Sequence, residues 1–463
     1  MNIHQMSAAQ LAHAVRERTL TAKEIVTATL ERIEAVDGSI NAFTCVTSER
    51  AITEANAIDR LRDQDASLPP LAGVPFAVKN LFDLEGVVTL AGSKVLQNNP
   101  AASSDAVLVA RLKQAGGICV GALNMDEFAY GFTTENSHAG PSRNPHDTTR
   151  IAGGSSGGCG AAIAAGMVPI SLGSDTNGSI RVPSSLCGVL GLKPTYGRLS
   201  RNGSFPFVTS LDHLGPFSRS VEDLALAYDA CQGPDPHDPA CAQKAIEPTR
   251  PTLAKGIDGL RIARLTGYFD AHATPIAQQA SRLAAQAFGT AAEIELPGVA
   301  LARAAAFTIT SSEGGALHLS TIRDQYEDYE PLSRDRFVAG ALTPAAWYLK
   351  AQRFRSLFQQ NVRNLFKQYD ILIAPATPCP AWPIGTEWVD INGTRFPARA
   401  SMGLLTQPIS FIGLPVVAVP IHQAGELPVG VQLIAAPWRE DLALRAAAYL
   451  ETKAVAQAPV ATL

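Results

Sequence analysis

The sequence predicts an α/β protein built around a mixed, largely parallel β-sheet. Short apolar, β-branched segments without charged residues are typical of buried strands, and "LAGVPFAV" just before Lys79 is one of them. Segments with helical periodicity separate these apolar segments along the chain. Because intervening helices connect strands that lie side by side in one sheet, the alternation favours this fold class.

The individual elements follow from the apolar pattern. Residues 7–35 have apolar side chains at helical spacing, and Thr21 with Glu24 three positions later is typical of a capping box. A second amphipathic helix is predicted at 49–64, before a buried strand that ends at Lys79. The remaining predictions are a helix at 105–115, a strand at 117–122, a helix after residue 158, strands at 168–173, 260–265 and 371–376, and helices at 276–290 and 344–367.

Composition excludes several classes of protein. The 463 residues are 46% hydrophobic and 17% charged, and the net charge of −4 provides no overall basic field for nucleic acid. No apolar run reaches the roughly 18–20 residues of a membrane helix, and no signal peptide is apparent. The seven cysteines show no metal-binding spacing. We therefore expect a cytoplasmic protein that uses no metal and binds neither membrane nor nucleic acid.

Three features contain residues suited to chemistry: Lys79 at a strand end, "GGSSGG" at 153–158 and "GSDTNGSIRVPSS" at 173–185. Each has an ordinary explanation when taken alone, because strand ends, turns and anion-binding loops commonly use these residues. A phosphate-binding P-loop needs a lysine directly after its last glycine, and "GGCG" at 157–160 is followed by none. The dinucleotide pattern G-x-G-x-x-G is also missing from this loop. Phosphate binding is therefore not predicted.

Taken together, these features resemble the amidase signature family, with matching separations between the lysine and the two serines. The resemblance extends from "VPFAVKN" to "LPVGVQLIAAPWREDLALRAAAYLE". It implies a large mixed central sheet covered on both faces by α-helices, and no cofactor. It also implies one domain over residues 1–463, consisting of an N-terminal helical segment (1–66), a catalytic core (67–225) and a C-terminal part that completes the sheet and the substrate pocket (226–463).

The resemblance further implies a Ser–cis-Ser–Lys triad. Ser179 is then the nucleophile, Lys79 the base, and Ser155 the relay between them, with a cis peptide bond to the supporting residue Gly154. The chemistry is coherent, because a serine hydroxyl needs an adjacent base and burial favours the neutral, basic form of lysine. Backbone N–H groups of the nucleophile turn are expected to stabilise the oxyanion. They belong to Thr176, Asn177, Gly178 and Ser179.

Further residues near the nucleophile have supporting roles. Ser156 competes with Ser155 for the relay, but the separation from the nucleophile favours Ser155. Asp175 and Arg181 flank the nucleophile, where they form an ion pair that holds the turn or, alternatively, where Arg181 binds a substrate carboxylate. Asn177 occupies a position where many family members have glycine, so its side chain is expected to narrow or polarise the pocket floor.

Other segments bear on the substrate. "NMDEFAYGFTTENSHAGPSRNPHD" is similar to A subunits of tRNA-dependent amidotransferases, whereas "AWYLKAQRFR", "ILIAPATP" and "MGLLTQPISF" are similar to the 1-carboxybiuret hydrolase group. The second similarity implies an amidohydrolase that cleaves a C–N bond of a small carboxylated, urea-like amide through an acyl-enzyme and releases ammonia. A glutamine-hydrolysing component of an amidotransferase is the alternative, and a catalytically silent scaffold is a third reading. Both groups imply a small helical C-type partner subunit, and the catalytic chain is also a candidate for homodimerisation.

A small acidic substrate needs a cationic or multi-donor anchor. The candidates are Tyr130 and Asn136 in "NMDEFAYGFTTEN". His318 and Arg323 are further candidates in "SSEGGALHLSTIRD", which lies where relatives place substrate-binding side chains. A packing or surface role is the alternative for each of them. Tyr130 and Arg323 are the preferred two.

Overall fold

A computed structural model of the protein describes residues 2–289 and 291–463. Its α-helices are α1 (Ala8–Arg16), α2 (Ala22–Ile40), α3 (Ser48–Asp63), α4 (Val107–Gln114), α5 (Gly157–Ala164), α6 (Arg181–Cys187), α7 (Val221–Cys231), α8 (Tyr268–Ala271), α9 (Pro275–Ala287), α10 (Val299–Asp324), α11 (Pro331–Ala341), α12 (Ala345–Leu365), α13 (Ala398–Ser401), α14 (Gln407–Ser410) and α15 (Glu440–Thr452).

The β-strands include both long, buried strands and short hairpin strands. They are β1 (Phe43–Val46), β2 (Pro75–Lys79), β3 (Ile118–Leu123), β4 (Glu135–Asn136), β5 (Gly140–Pro141), β6 (Arg143–Asn144), β7 (Asp147–Ile151), β8 (Ile170–Asp175), β9 (Leu190–Lys193), β10 (His213–Ser218), β11 (Ile262–Leu265), β12 (Ala292–Ile294), β13 (Ile371–Pro375), β14 (Trp388–Ile391), β15 (Thr394–Pro397), β16 (Val416–Ile421) and β17 (Val429–Ala435).

Most predicted elements are confirmed within a few residues. The capping box at the start of α2 is present, since Thr21 Oγ1 accepts the Glu24 N–H and the Glu24 side chain accepts the Thr21 N–H. The single helical pattern at 7–35 corresponds to two helices, because the chain leaves helical geometry after α1 and Arg18 has a φ of 59°. The predicted helix at 276–290 corresponds to α9, and residue 290 lies outside the described residues.

One large mixed sheet organises the described residues. Its strand order is β1-β3-β2-β8-β10-β9-β16-β17-β13-β11-β12. The prediction of a mixed sheet is confirmed, but the expectation that it is largely parallel is wrong, because six of its ten pairings are antiparallel. The short connection 422–428 joins β16 to β17 and can only link antiparallel strands, and β10 runs antiparallel to both β8 and β9.

Strand β2 shows that both faces of the sheet are covered. Successive side chains of a strand point to opposite faces. Phe76 and Val78 pack into the apolar core that contains α4, α7 and α15, whereas Ala77 packs into the second core, formed with α2, α3 and α5. Lys79 follows the alternation of Ala77. Its side chain is therefore directed toward the side of the sheet where the loop before α5 lies.

The long helix α10 packs against α11, α12 and α14. Helices α10 and α11 bring Thr310 and Arg336 to the site described below. Among the described residues, no helix has the length and apolar character needed to cross a membrane.

Candidate active site

Lys79 forms the buried centre of the site at the end of β2. Its Nζ donates hydrogen bonds to Ser155 Oγ at 2.7 Å and to Ser174 Oγ at 2.9 Å, and all three side chains are buried. No carboxylate of the described residues forms an ion pair with it. Burial lowers the pKa of Lys79 to about 8, because removal from water disfavours the ammonium form. With this pKa, about a tenth of Lys79 is a neutral amine at pH 7, and the neutral fraction reaches about half at pH 8.

The loop before α5 presents Ser155 to Lys79. The Gly154–Ser155 peptide bond is cis, as the resemblance implies. Residue 154 has no room for a side chain, since a Cβ there would lie 2.1 Å from Asp126 Oδ2 and 2.6 Å from the Thr133 nitrogen. Asp126 also donates its N–H to the Ser155 carbonyl at 3.2 Å. Close packing against this carboxylate thus explains why glycine precedes the serine.

Ser156 makes different contacts from Ser155. Its Oγ donates to the Ser174 carbonyl at 3.1 Å and accepts the Ser174 N–H at 3.3 Å. These bonds tie the loop to the end of β8, next to Lys79. The structure therefore brings Ser155 to the lysine and gives Ser156 a bridging position.

Ser179 lies in the turn between β8 and α6. It is buried, and it lines a small cavity together with Thr176 and Asn177. Among the described residues, the backbone N–H groups of Asn177, Gly178 and Ser179 donate to no protein acceptor, so they are free to stabilise an oxyanion. No hydrogen bond between Ser155 and Ser179 occurs among these residues, and the proton relay between them stays a prediction.

Thr406 shapes the turn that carries Ser179. Its Oγ1 donates to the Asn177 carbonyl at 2.8 Å. Gly178 has a φ of +142°, and a Cβ at this position would lie 2.1 Å from Thr406 Oγ1. Sequence reasoning assigned no role to Thr406, because it is more than 200 residues away along the chain from Ser179, although it lies in the segment "MGLLTQPISF" quoted above. Thr176 is held separately, since its Oγ1 donates to Asp212 Oδ1 at 2.6 Å.

Asp175 and Arg181 form a fully buried ion pair behind the turn. Arg181 Nε donates to Asp175 Oδ2 and Nη2 donates to Oδ1, both at 2.9 Å. Burial alone would raise the pKa of Asp175, but the adjacent guanidinium holds it well below its ordinary value. Nη1 donates to the Thr406 carbonyl at 3.1 Å and to Gln432 Oε1 at 2.6 Å, and Nη2 also contacts Ser410 Oγ. All of the Arg181 nitrogens are thus occupied by protein acceptors.

The cavity at Ser179 is small, with a volume of about 20 Å³, which is room for about one water molecule. Its lining residues are Ala129, Tyr130, Gly131, Phe132, Thr176, Asn177, Ser179, Phe207, Phe307, Thr310, Arg336 and Gln407. Arg336 is the single charged side chain among them. The described residues contain no group of three or more His, Cys, Asp or Glu side chains arranged to hold a metal ion.

Comparison with known proteins agrees with this geometry. The family model described as "Amidase" matches residues 24–444. The chain belongs to the amidase signature family. It is 59% identical over 454 residues to AtzE, a component of the 1-carboxybiuret hydrolase of Pseudomonas sp. (strain ADP), covering 98% of this chain and 99% of that protein. It is 37% identical to the glutamyl-tRNA(Gln) amidotransferase GatA-type component of Moorella thermoacetica, covering 96% of each chain.

Solved amidase structures have the same fold. A chain from a vestigial protein complex that reveals the evolutionary origins of an s-triazine catabolic enzyme superposes with a TM-score of 0.97 at 59% identity, covering 98% of this chain and 99% of that chain. The corresponding glutamyl-tRNA(Gln) amidotransferase component of Thermotoga maritima superposes with a TM-score of 0.85 at 27% identity, covering 100% and 99%. The protein is a C–N hydrolase that acts on amides, as the sequence predicts.

Of the four substrate-binding candidates, the structure brings only Tyr130 to the cavity of this amidase. Asn136 is buried at the end of the short strand β4, where its Nδ2 donates to two backbone carbonyls and its Oδ1 accepts two backbone N–H groups. Arg323 is exposed near the end of α10 and does not line the cavity.

His318 is also outside the cavity of this amidase. It is buried among aromatic rings, with centroids 4.2 Å from Phe128 and 4.4 Å from Phe337, and its Nδ1 lies 3.2 Å from the Tyr329 hydroxyl. Burial lowers the pKa of His318 to about 4, so the imidazole is neutral at neutral pH. These surroundings are those of a packing residue.

Arg336 was missed by sequence reasoning. It lies in "PLSRDRF" of α11, where arginines alternate with other residues as on a solvent-exposed helix face. Only packing in three dimensions distinguishes Arg336 from its neighbour Arg334. No sequence signal could have selected it.

Proposed function

We propose that this amidase hydrolyses a C–N bond of a small carboxylated, urea-like amide, such as 1-carboxybiuret, and releases ammonia. The observation that carries this proposal is the 59% identity to a component of a 1-carboxybiuret hydrolase, which extends over 98% of the chain.

In the proposed mechanism, Ser179 Oγ attacks the substrate carbonyl carbon. The Ser179 proton passes to Ser155 Oγ while the Ser155 proton passes to the neutral Nζ of Lys79, and the free N–H groups of the turn stabilise the oxyanion. The C–N bond then breaks, and the leaving nitrogen takes a proton back through Ser155 and departs as ammonia. Water hydrolyses the resulting acyl-enzyme by the same proton path and regenerates Ser179. The 2.7 Å contact between Lys79 and Ser155 supports this order of transfer.

The mechanism is tested by measuring ammonia release from a panel of carboxylated ureides with single variants. We expect Ser179→Ala and Ser155→Ala to lose nearly all activity, by about 10³-fold or more, because nucleophile and proton path act as one unit. Ser156→Ala is the matched control, since its hydroxyl bonds to Ser174 and not to Lys79. Full activity of Ser179→Ala would refute the assignment of Ser179 as the nucleophile. Failure of the wild type on every carboxylated ureide would refute the substrate class.

A second candidate function is glutamine hydrolysis within a tRNA-dependent amidotransferase. The 37% identity over 96% of the chain to such an amidotransferase component favours this candidate, but more weakly than the 59% identity favours the hydrolase. Glutaminase activity that depends on aminoacyl-tRNA in the purified complex would support the amidotransferase function over the hydrolase function.

We also propose that the chain works in a complex with a small helical subunit, that two catalytic chains pair, and that residues 1–463 form a single domain. A solved structure of a chain 59% identical to this one is described as a protein complex, which supports the proposed complex with a small subunit.

Strands from residue 43 to residue 435 share one sheet, which supports the proposal of a single domain. All seven cysteines are free thiols, which supports a cytoplasmic location. Light scattering of the chain alone and with its small subunit measures the assembly.

A further inference from the structure

A second cavity, which we call the rear cavity, has a volume of about 210 Å³ and reaches Ser174, the other hydrogen-bond partner of Lys79 besides Ser155. The buried Ser174 is part of its inner wall, and the exposed Thr209 lies at its mouth. Ser179 does not line the rear cavity, and Ser174 does not line the Ser179 cavity. Several water molecules fit into this volume. The rear cavity thus approaches Lys79 from a side that the substrate does not use.

We propose that Ser174 is a positioning residue that turns the lone pair of neutral Lys79 toward Ser155. This inference rests on the proposed function, because it requires Lys79 to act as the base. A neutral amine has two N–H groups and one lone pair, and only the lone pair can take the Ser155 proton. An acceptor for an N–H group elsewhere around Nζ therefore favours the productive orientation. Ser174 Oγ, at 2.9 Å from Nζ, is such an acceptor.

Solvent exposure distinguishes the two hydroxyl groups that contact Nζ. Lys79 and Ser155 are both 0% exposed, whereas Ser174 is 4% exposed and lines the rear cavity. Among the described residues, Ser155 Oγ has Lys79 Nζ as its single hydrogen-bond partner. Ser174 can instead donate its hydroxyl proton to water in the rear cavity, and its oxygen then stays available to accept an N–H of the amine. This asymmetry directs the lone pair toward Ser155 rather than toward Ser174.

Four titratable side chains act on Lys79 from the surrounding elements: Asp126, Cys159, Asp175 and Asp212. The three carboxylates raise the pKa of Lys79, and burial lowers it by more. Burial raises the pKa of Cys159 to about 12, so this thiol stays neutral. None of the four forms a hydrogen bond with Nζ among the described residues. A change of the Ser174 hydroxyl therefore alters the hydrogen bonding of the amine and leaves these charges in place.

The test compares Ser174→Thr with Ser174→Val, whose side chains have the same shape and differ by a hydroxyl against a methyl group. Both residue types are common in strands such as β8. The methyl group of valine also occupies the place that a water of the rear cavity would need to replace the hydroxyl. Methanesulfonyl fluoride is the probe, and mass spectrometry follows its reaction with Ser179 from pH 6 to 10. The Ser179 oxygen bonds to sulfur, the S–F bond breaks, fluoride leaves, and Lys79 takes the serine proton through Ser155.

We expect Ser174→Thr to react like the wild type. Ser174→Val should react about 10-fold or more slowly at the high-pH plateau, because the lone pair is no longer held toward Ser155. The rising part of the valine pH profile should also move to lower pH. The lost acceptor stabilised the ammonium form, so its removal lowers the pKa of Lys79 further. In assays of ammonia release, Ser174→Val should lower kcat and leave KM unchanged.

Equal rates for the two variants would overturn the proposal, whether both are slow or both are fast, because the hydroxyl would then have no role. A valine profile that moves to higher pH would also overturn it, since it would show that the substitution merely admits water to Lys79. Failure of the proposed function looks different. A wild type that is labelled but releases no ammonia from any carboxylated ureide refutes the substrate class and leaves this comparison intact. Labelling of Ser179→Ala at the wild-type rate refutes the proposed nucleophile instead.

Discussion

Replacing Lys79 by methionine changes both the activity of this amidase and the pH dependence of its stability. Burial lowers the pKa of Lys79 from 10.5 to about 8. Between these two values the unfolded chain holds a proton that the folded chain has released. The free energy of unfolding therefore rises with pH across this window. The rise amounts to about 3 kcal/mol, since each pKa unit corresponds to about 1.4 kcal/mol. Below pH 8 the folded state carries the full penalty of the buried ammonium.

The measurement is urea unfolding of the wild type and of Lys79→Met at several pH values from 7 to 10.5. Lys193 is also buried and its pKa is also lowered, so it adds its own pH dependence to both proteins. The difference between the two proteins isolates Lys79. We expect the wild type to gain about 2–3 kcal/mol relative to the variant as pH rises across this range.

The pH dependence of kcat/KM tests the same assignment of Lys79. A general base with a pKa of about 8 gives a kcat/KM that rises about tenfold per pH unit below 8 and levels off above it. Lys79→Met should lack measurable activity at every pH. A flat activity profile from pH 6 to 9, or a stability difference that does not change with pH, would refute the assignment of Lys79 as a buried, neutral base.

Two further predictions concern residues around the site. Asp175→Asn leaves the Arg181 guanidinium buried without its charge partner, so the free energy of unfolding should fall by about 3–5 kcal/mol; an unchanged value in urea unfolding would show that the pair does not hold the turn. His318→Phe replaces a neutral imidazole within an aromatic cluster by a ring of similar shape. We expect wild-type kcat and KM, and a raised KM would restore His318 as a substrate-binding candidate.

The residues in contiguous motifs could be predicted from the sequence. Lys79 follows an apolar strand, and Ser155 and Ser179 lie in glycine-rich loops whose separations match those of a known family. The alternation of apolar and amphipathic segments also predicted β2, β3, β8 and the helices between them, because buried strands and amphipathic helices have distinct local periods. The direction of strands has no such local signal, and the expectation of a largely parallel sheet was therefore wrong.

Arg336 shows what the sequence could not reveal. Its hydrogen bond to the Tyr130 carbonyl joins residues 206 positions apart. The charge pattern of α11 is that of an exposed helix, and only its packing against α10 turns this arginine toward the cavity. Arg323, the arginine preferred from sequence, belongs to a segment where relatives place substrate-binding residues, but it lies on the exposed side of α10. The choice between two arginines depended on tertiary packing, which a single sequence does not display.

The acceptors of Arg181 have a consequence for how the protein is made. Its Nη1 is held by residues 225 and 251 positions further along the chain, and its Nη2 reaches a residue 229 positions further. On the ribosome, the lysine and both serines emerge long before Gln432 is synthesised. A nascent chain that stops short of residue 432 contains Lys79, Ser155 and Ser179 but lacks one of the acceptors that hold Arg181 behind the turn of Ser179. The surroundings of the proposed catalytic centre are therefore completed late in biosynthesis. A fragment that ends at residue 225 lacks the acceptors of Arg181 that lie beyond residue 400.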